Sequence, residues 1–114
     1  MLPYDYSVSR RTLVLTVPSD LRSTNVEPIT KDIHAVLEGC KSRNEVWTLL
    51  HLNLTAANMI DSAGLNMIVS LIRLATVAGA RVRVSVSNPH VHRTFTFTRL
   101  DRQIDLELVG GSSA

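Results

Sequence analysis

The stretch Met59-Ile60-Asp61-Ser62-Ala63-Gly64-Leu65 marks the point where a strand-like apolar segment gives way to a long helical one. Its one hydroxyl group, that of Ser62, falls at the predicted start of the helix. The first backbone N–H groups of a helix lack intrahelical partners, and the helix dipole is positive at that end, so an added phosphate is tolerated there. We therefore predict that Ser62 is a regulatory residue on which the function of the protein depends.

A long apolar helix is predicted to follow, over residues 62–78. At about 100° per residue, its few polar side chains fall on one narrow face together with Ser62, which leaves the other faces for burial. These polar residues are Asn66, Ser70, Arg73 and Thr76. Gly79 then supplies the helix stop. We expect the hydroxyl of Ser62 to begin the one exposed edge of this helix.

The rest of the chain alternates between strand and helix patterns. Period-two or continuous apolar runs predict strands at residues 4–9, 12–17, 46–52, 81–87 and 104–108. Apolar residues at helical spacing predict a helix over residues 26–40, capped by Thr24 or Asn25. Asn88-Pro89 is a start signal for a short third helix, because Asn accepts a bond from a free N–H and Pro lacks one. The order is strand, strand, helix, strand, helix, strand, helix, strand.

Composition fits one globular domain. The chain has 114 residues, 45% of them hydrophobic, and a formal net charge of +2; we expect one domain at residues 1–109 and a flexible tail at 110–114. Basic residues form no clustered stripe, so no nucleic-acid partner is expected. Cys40 is the one cysteine, which excludes an intramolecular disulfide and a cysteine-based zinc site. No apolar run reaches membrane-spanning length and no secretory pattern is present, so we expect a cytoplasmic protein without membrane insertion.

These elements and motifs together resemble the STAS domain, the fold of bacterial anti-sigma factor antagonists. The resemblance runs from about Leu13 to Leu108, and it is most specific in Leu52-Asn53-Leu54, in residues 59–65, in Gly79-Ala80 and in Asn88-Pro89. It implies an α/β fold in which a single mixed sheet of about five strands packs with three to four α-helices.

The resemblance also implies a function. In the family, the serine that matches Ser62 is phosphorylated by an anti-sigma factor that is itself a serine protein kinase, and the unphosphorylated form binds that kinase and frees the sigma factor. Ser62 is thus the expected phosphoacceptor, and a serine phosphatase is a further expected partner. The expected partner-binding residues are Asp20, Ser23, Thr24, Asn58, Asp61, Ala63, Gly64 and Asn66. We expect a monomer or weak dimer that is not an enzyme and has no cofactor and no metal.

One loop departs from the family pattern. The family usually has Gly, an acidic residue, Leu and Asp after its second strand, whereas this chain has Pro18-Ser19-Asp20-Leu21. The acidic residue is displaced, so the loop from Pro18 to Thr24 either keeps the family's binding role with altered contacts or has lost it.

Two other interpretations of Ser62 remain. Ser is a preferred N-cap residue, so Ser62 could serve only as a cap, although Asp61 could cap as well. A hydrolase nucleophile elbow requires Gly-x-Ser-x-Gly, but Ile60 stands where the first glycine should be. None of the four histidines has the context of a catalytic base, and His90-x-His92 is too sparse for a metal site.

Two alternative functions keep the fold and change the partner. STAS-like domains also act as accessory subunits of lipid-transport ATPases and as scaffolds in stress-signalling complexes. The identity of the partner would separate these roles from that of an anti-sigma factor antagonist.

Overall fold

The computed structural model describes residues 2–110, which form an α/β fold with one mixed sheet. The strands are β1 (Tyr4–Ser7), β2 (Thr12–Thr16), β3 (Leu49–Leu54), β4 (Arg81–Val86) and β5 (Asp105–Leu108). The helices are α1 (Val26–Ser42), α2 (Ser62–Val77) and α3 (Pro89–Phe97), and a short 3₁₀ turn spans Leu100–Arg102. The predicted fold class, with about five strands and three to four helices, is confirmed. Of the predicted tail, residues 111–114 lie outside the described part of the chain.

Strand order in the sheet follows chain order, β1-β2-β3-β4-β5. β1 and β2 form an antiparallel hairpin, and β2 to β5 are parallel. Each parallel connection carries one helix, and because such crossovers are right-handed, successive crossovers in one direction place their helices on the same face of the sheet. Within residues 2–110, the opposite face of the sheet is therefore left without a helical layer.

The core lies between the sheet and this single helical layer. Alternate side chains of the central strands face the helices and are buried, as the two-residue period of a strand requires. The strand residues of the core include Leu13, Leu15, Leu50, Leu52, Leu54, Val82, Val84 and Val86, and the helices add Ile33, Val36, Ile68, Leu71 and Phe95. These side chains belong to one continuous hydrophobic cluster.

The third strand differs from its predicted bounds. It was expected over residues 46–52, but β3 spans Leu49–Leu54, and Val46 is 60% exposed before the sheet begins. β3 ends where its parallel neighbours end, since Leu54 pairs with Val86 of β4. Asn53 lies beyond the predicted end of this strand, but its side chain lies on the face without helices, where polar residues are tolerated.

The carboxyl ends of the parallel strands place several loops at one edge of the sheet. The chain leaves β2 after Thr16, β3 after Leu54 and β4 after Val86. Parallel strands bring such loops side by side, and ligands and partners often bind there. In the described part of the chain, no helix is both long enough and apolar enough to cross a membrane.

Candidate functional site

Ser62 is the first residue of α2, and its side chain is exposed. Among residues 2–110, no group forms a hydrogen bond with its Oγ atom. The interpretation of Ser62 as the helix cap is wrong, because Asp61 occupies the N-cap and its side chain accepts a bond from the backbone N–H of Gly64. The serine hydroxyl is therefore free for chemistry that leaves the cap intact.

Asp61 holds both the helix and a neighbouring loop. Its Oδ1 accepts from the N–H of Gly64 at 3.0 Å, and its Oδ2 accepts from the N–H of Ser23 at 2.7 Å. These backbone donors, that of Gly64 first, favour the charged carboxylate and lower the pKa of Asp61. Because Gly64 donates to Asp61, fewer of the first N–H groups of α2 are available to a phosphate on Ser62 than the sequence suggested.

Asp61 binds the loop that contains Asp20, and Asp20 in turn binds the loop that precedes Asp61. Its Oδ1 accepts from the N–H groups of Asn58 at 2.7 Å and Met59 at 3.2 Å, and its Oδ2 lies 3.0 Å from the guanidinium of Arg22. The bond from Asn58 is the largest cause that lowers the pKa of Asp20, and Arg22 adds to it. Asp20 thus joins the loop at residues 18–25 to the loop at residues 55–61.

Backbone contacts bring these two loops into direct register. Leu21 donates its N–H to the carbonyl of Met59 at 3.1 Å and accepts from the N–H of Asp61 at 3.0 Å. Gly64 lies beneath this contact, because a Cβ atom on it would meet Cβ and the carbonyl oxygen of Leu21, each at 2.8 Å. The glycine in the motif is therefore required for close packing of the loop.

Asn25 organises the first loop, a role that the sequence did not reveal. It is the N-cap of α1, as predicted, but its side chain makes no bond to the helix N–H groups. Instead its Oδ1 accepts from the N–H of Arg22 at 2.9 Å, and its Nδ2 donates to the carbonyl of Asp20 at 2.7 Å. These bonds hold Ser23 and Thr24 on the surface, where both are exposed.

Asn58 links the site to the start of α3. Its Oδ1 accepts from Nδ2 of Asn88 at 3.3 Å, and Asn88 in turn caps α3 through the N–H of His90 at 2.8 Å. The neighbouring Met59 is 45% exposed. Met59 and His90 were not predicted as site residues, although a large apolar side chain next to a polar motif is a usable signal for a contact surface.

Most of the predicted partner-binding residues lie at this edge of the sheet. Exposed side chains are those of Ser23, Thr24, Asn58 and Asn66, and partly exposed ones are those of Asp20, Asp61 and Ala63. Gly64 is buried and packs against Leu21, and its expected contact with a partner stays a prediction. Ala63 and Asn66 also border a groove of about 350 Å³ between α1 and α2.

Two alternative interpretations concern a hydrolase nucleophile at Ser62 and a metal site. Among residues 2–110, no histidine hydrogen-bonds the Oγ atom of Ser62, so the pair that a hydrolase requires is not formed. The same residues contain no group of three His, Cys, Asp or Glu side chains placed to hold a metal ion.

A comparison with protein-family models decides the family. The model described as the STAS domain matches residues 4–110. The chain belongs to the STAS domain family. None of the curated proteins that were compared with the sequence matches it.

Solved structures show the same STAS fold. A candidate anti-sigma factor antagonist from Thermotoga maritima is 22% identical with a TM-score of 0.76, over 93% of this chain and 85% of that one. An anti-sigma factor antagonist from Mycobacterium paratuberculosis is 17% identical with a TM-score of 0.75, over 94% and 84% of the two chains. The anti-sigma factor antagonist SpoIIAA, solved in its unphosphorylated form, is 19% identical with a TM-score of 0.69, over 96% and 90%.

Proposed function

We propose that this STAS domain is an anti-sigma factor antagonist whose binding to an anti-sigma factor is switched off by phosphorylation of Ser62. The observation that carries the proposal is the exposed Oγ atom at the first position of α2, which no group among residues 2–110 bonds, beside a helix cap supplied by a different residue. The similar solved structures, which are those of anti-sigma factor antagonists, support the same function.

The switch is electrostatic and local. A phosphate on Ser62 adds about −1.5 to −2 charges near neutral pH. The positive end of the α2 dipole favours this charge, whereas the adjacent carboxylate of Asp61 opposes it, so the net effect on folding is small. A partner that covers Ser62 must remove water from the phosphate, which costs several kcal/mol unless a cation matches the charge. Since about 1.4 kcal/mol is tenfold in affinity, we expect a loss of about a hundredfold or more.

The partner surface extends over both loops that border Ser62. Ser23 and Thr24 lie on one side, held by Asp61 and Asn25, and Asn58 lies on the other, held by Asp20. Met59 supplies an exposed apolar side chain to this largely polar surface. Mixed surfaces of this kind, with an apolar residue surrounded by polar ones, are typical of protein interfaces.

The remaining properties that we propose follow from this function. The partner is an anti-sigma factor with serine protein kinase activity, and a serine phosphatase resets the switch. The domain acts in the cytoplasm as a monomer or weak dimer, is not itself an enzyme, and requires neither a cofactor nor a metal.

The test is phosphorylation by candidate kinases. The purified protein is mixed with histidine-kinase-like anti-sigma factors and ATP, and phosphate is mapped by mass spectrometry. Ser62 should be modified in the wild type, and Ser62→Ala should abolish the signal and bind persistently. Ser70→Ala is the matched control, because Ser70 is an exposed serine on the same helix. Phosphate on another residue, or no phosphate together with stable association with a transporter ATPase, would overturn the proposal.

A further inference from the structure

The face of the sheet without helices carries a second polar cluster, away from Ser62. His51 of β3 lies opposite Val14 of β2 and Arg83 of β4 in the register of the sheet. Asp5 of β1 lies opposite Val14 on the other side. Because residues opposite each other in neighbouring strands project from the same face, these four side chains form one row across the sheet, which Asp105 of β5 continues beside Arg83.

A hydrogen-bonded chain fixes the state of His51. The Oγ atom of Ser85 donates to a carboxylate oxygen of Glu107 at 3.0 Å and lies 2.6 Å from Nε2 of His51. A serine hydroxyl has one proton, which Glu107 accepts, so Nε2 of His51 must be the donor in the shorter contact. Burial first, and the charge of Arg83 second, lower the pKa of His51 against the opposing effect of Glu107. Burial and Arg83 therefore favour the neutral imidazole, and the bond to Ser85 favours the tautomer with its proton on Nε2.

Beside this row lies a cavity of about 360 Å³ with an excess of positive charge. It is lined by Asp5, Ser7, Arg10, Thr12, Val14, Leu49, His51 and Arg83. In residues 2–110, the side chains of Arg10 and Arg83 take part in no ion pair or hydrogen bond. Two guanidinium groups, which stay charged at all ordinary pH values, thus line the cavity together with one carboxylate, that of Asp5. Asp105, opposite Arg83 in β5, is already ion-paired with Arg81. With His51 neutral, the lining side chains carry a formal charge of +1.

We propose that this cavity binds a small organic anion, with a phosphate or carboxylate group held between Arg10 and Arg83. Guanidinium groups pair with both kinds of oxyanion through parallel N–H bonds. The hydroxyls of Ser7 and Thr12 add further donors, and Val14 and Leu49 supply an apolar surface for the body of the ligand. The volume lies at the lower end of the range for small-molecule sites.

The site is separate from the Ser62 surface. Thr12 and Leu49 are the first residues of β2 and β3, so the cavity lies toward the amino ends of the parallel strands. Ser62 follows the carboxyl end of β3 and starts a helix on the other face. Binding at one site does not require the other, and the failure of either proposal leaves the other intact.

The test is a titration of the ¹⁵N-labelled protein followed by NMR, with phenyl phosphate, benzoate, inorganic phosphate and the neutral benzyl alcohol as probes. We expect saturable shifts in the amides of β1 to β4 with phenyl phosphate and benzoate, with Kd on the order of 1 mM for ligands of this size. Inorganic phosphate should bind more weakly, since it lacks the apolar body. Equal binding of benzyl alcohol, absence of saturable shifts, or shifts confined to the first turn of α2 would overturn the proposal.

Charge variants sharpen the test. Arg10→Gln and Arg83→Gln should each weaken phenyl phosphate binding about fivefold or more, because each removes a charge-assisted contact. Arg73→Gln is the matched control, an equal change of charge on exposed α2, and should leave binding unchanged. Asp5→Asn should strengthen binding, because it removes the opposing charge. If Arg83→Gln fails to fold, Arg10→Gln and Asp5→Asn decide, and equal affinity of both for phenyl phosphate would contradict the assignment.

Discussion

The carboxylates of Asp20 and Asp61 each bind the backbone of the loop that holds the other. Asp20 accepts from Asn58 and Met59, just before Asp61, and Asp61 accepts from Ser23, just after Asp20. Asp61 also caps α2. The two loops that border Ser62 are therefore held together as one unit, and the hydrogen bonds that hold them are strongest when both carboxylates are charged.

Acid should loosen this unit. The pKa of each carboxyl is lowered below the ordinary value of 3.8, so the folded state binds fewer protons than the unfolded one. The resulting stability is present above pH 3.8 and is lost as the pH falls through the lowered values. Urea unfolding at pH 7 and pH 3 should show a smaller acid loss for Asp20→Asn and Asp61→Asn than for the wild type. Parallel acid profiles for all three proteins would refute this account.

Gly64→Ala should destabilise the protein and displace the loop above it. The new Cβ atom would lie 2.8 Å from Cβ and the carbonyl oxygen of Leu21, and backbone cannot move aside cheaply. Overpacking of this kind costs about 1–3 kcal/mol. Gly39→Ala in α1 is the matched control, since its Cβ atom would meet only the far end of the Arg43 side chain, at 3.1 Å, and no backbone atom. Denaturant unfolding should show the control unchanged or stabilised by up to about 1 kcal/mol. Equal stabilities of the two variants would count against this packing role.

Phosphorylation of Ser62 should leave the fold unchanged. Ser62 is exposed and contributes no bond to the cap, so phosphoserine or Ser62→Asp should shift Tm by less than about 4 °C. Ser85→Asp gives the contrast, because Ser85 is 4% exposed and bonded to Glu107. A carboxylate added at this buried position, next to the carboxylate of Glu107, should lower Tm strongly in thermal unfolding followed by circular dichroism. A large loss at position 62 would mean that the site is structural.

The titration of His51 should respond to its neighbours in opposite directions. Arg83→Gln removes a cation that lowers the pKa of His51 and should raise it, whereas Glu107→Gln removes an anion and should lower it. NMR of the imidazole carbons across pH 4–8 measures both effects. Arg73→Gln, with the same change of net charge, controls for the overall field. Shifts of the same sign in Arg83→Gln and Glu107→Gln would exclude the proposed arrangement.

Met59 should contribute to partner binding. It is 45% exposed next to the Asp20 and Asp61 loops, whereas Val77 is 90% exposed at the far end of α2. Met59→Ser should weaken binding of the anti-sigma factor about tenfold, the scale of losing one buried apolar contact. Val77→Ser should have no effect, as measured by calorimetry. A loss of affinity with Val77→Ser but not with Met59→Ser would place the interface at the carboxyl end of α2 and contradict the prediction.

The sequence predicts the element order well because local signals agree with the fold. Asn88-Pro89 starts α3, the stripe of polar residues in α2 is exposed, and the apolar alternation of β4 faces the core. It predicts the bounds of β3 less well. Pairing with Arg81–Val86 extends that strand through Asn53, a residue whose own preference is for a loop.

The sequence predicts the site only in part, for a similar reason. The motif around Ser62 is local, so its place at the start of α2 is predicted correctly. The bond of Asp20 to Asn58 spans 38 positions, and no periodicity reports such a contact. The role of Gly64 also depends on a distant residue, Leu21, and a sequence alone does not reveal which backbone passes over a glycine.

Because spatial order repeats chain order across the sheet, each strand after the first joins the strand completed just before it. No later segment has to insert between two earlier neighbours. A chain emerging from the ribosome can therefore assemble this sheet progressively, from β1 outwards, with β1 as the constant edge and the newest strand as the growing edge. Loss of β5 would remove an edge strand only, whereas loss of β3 would separate the β1–β2 pair from the β4–β5 pair.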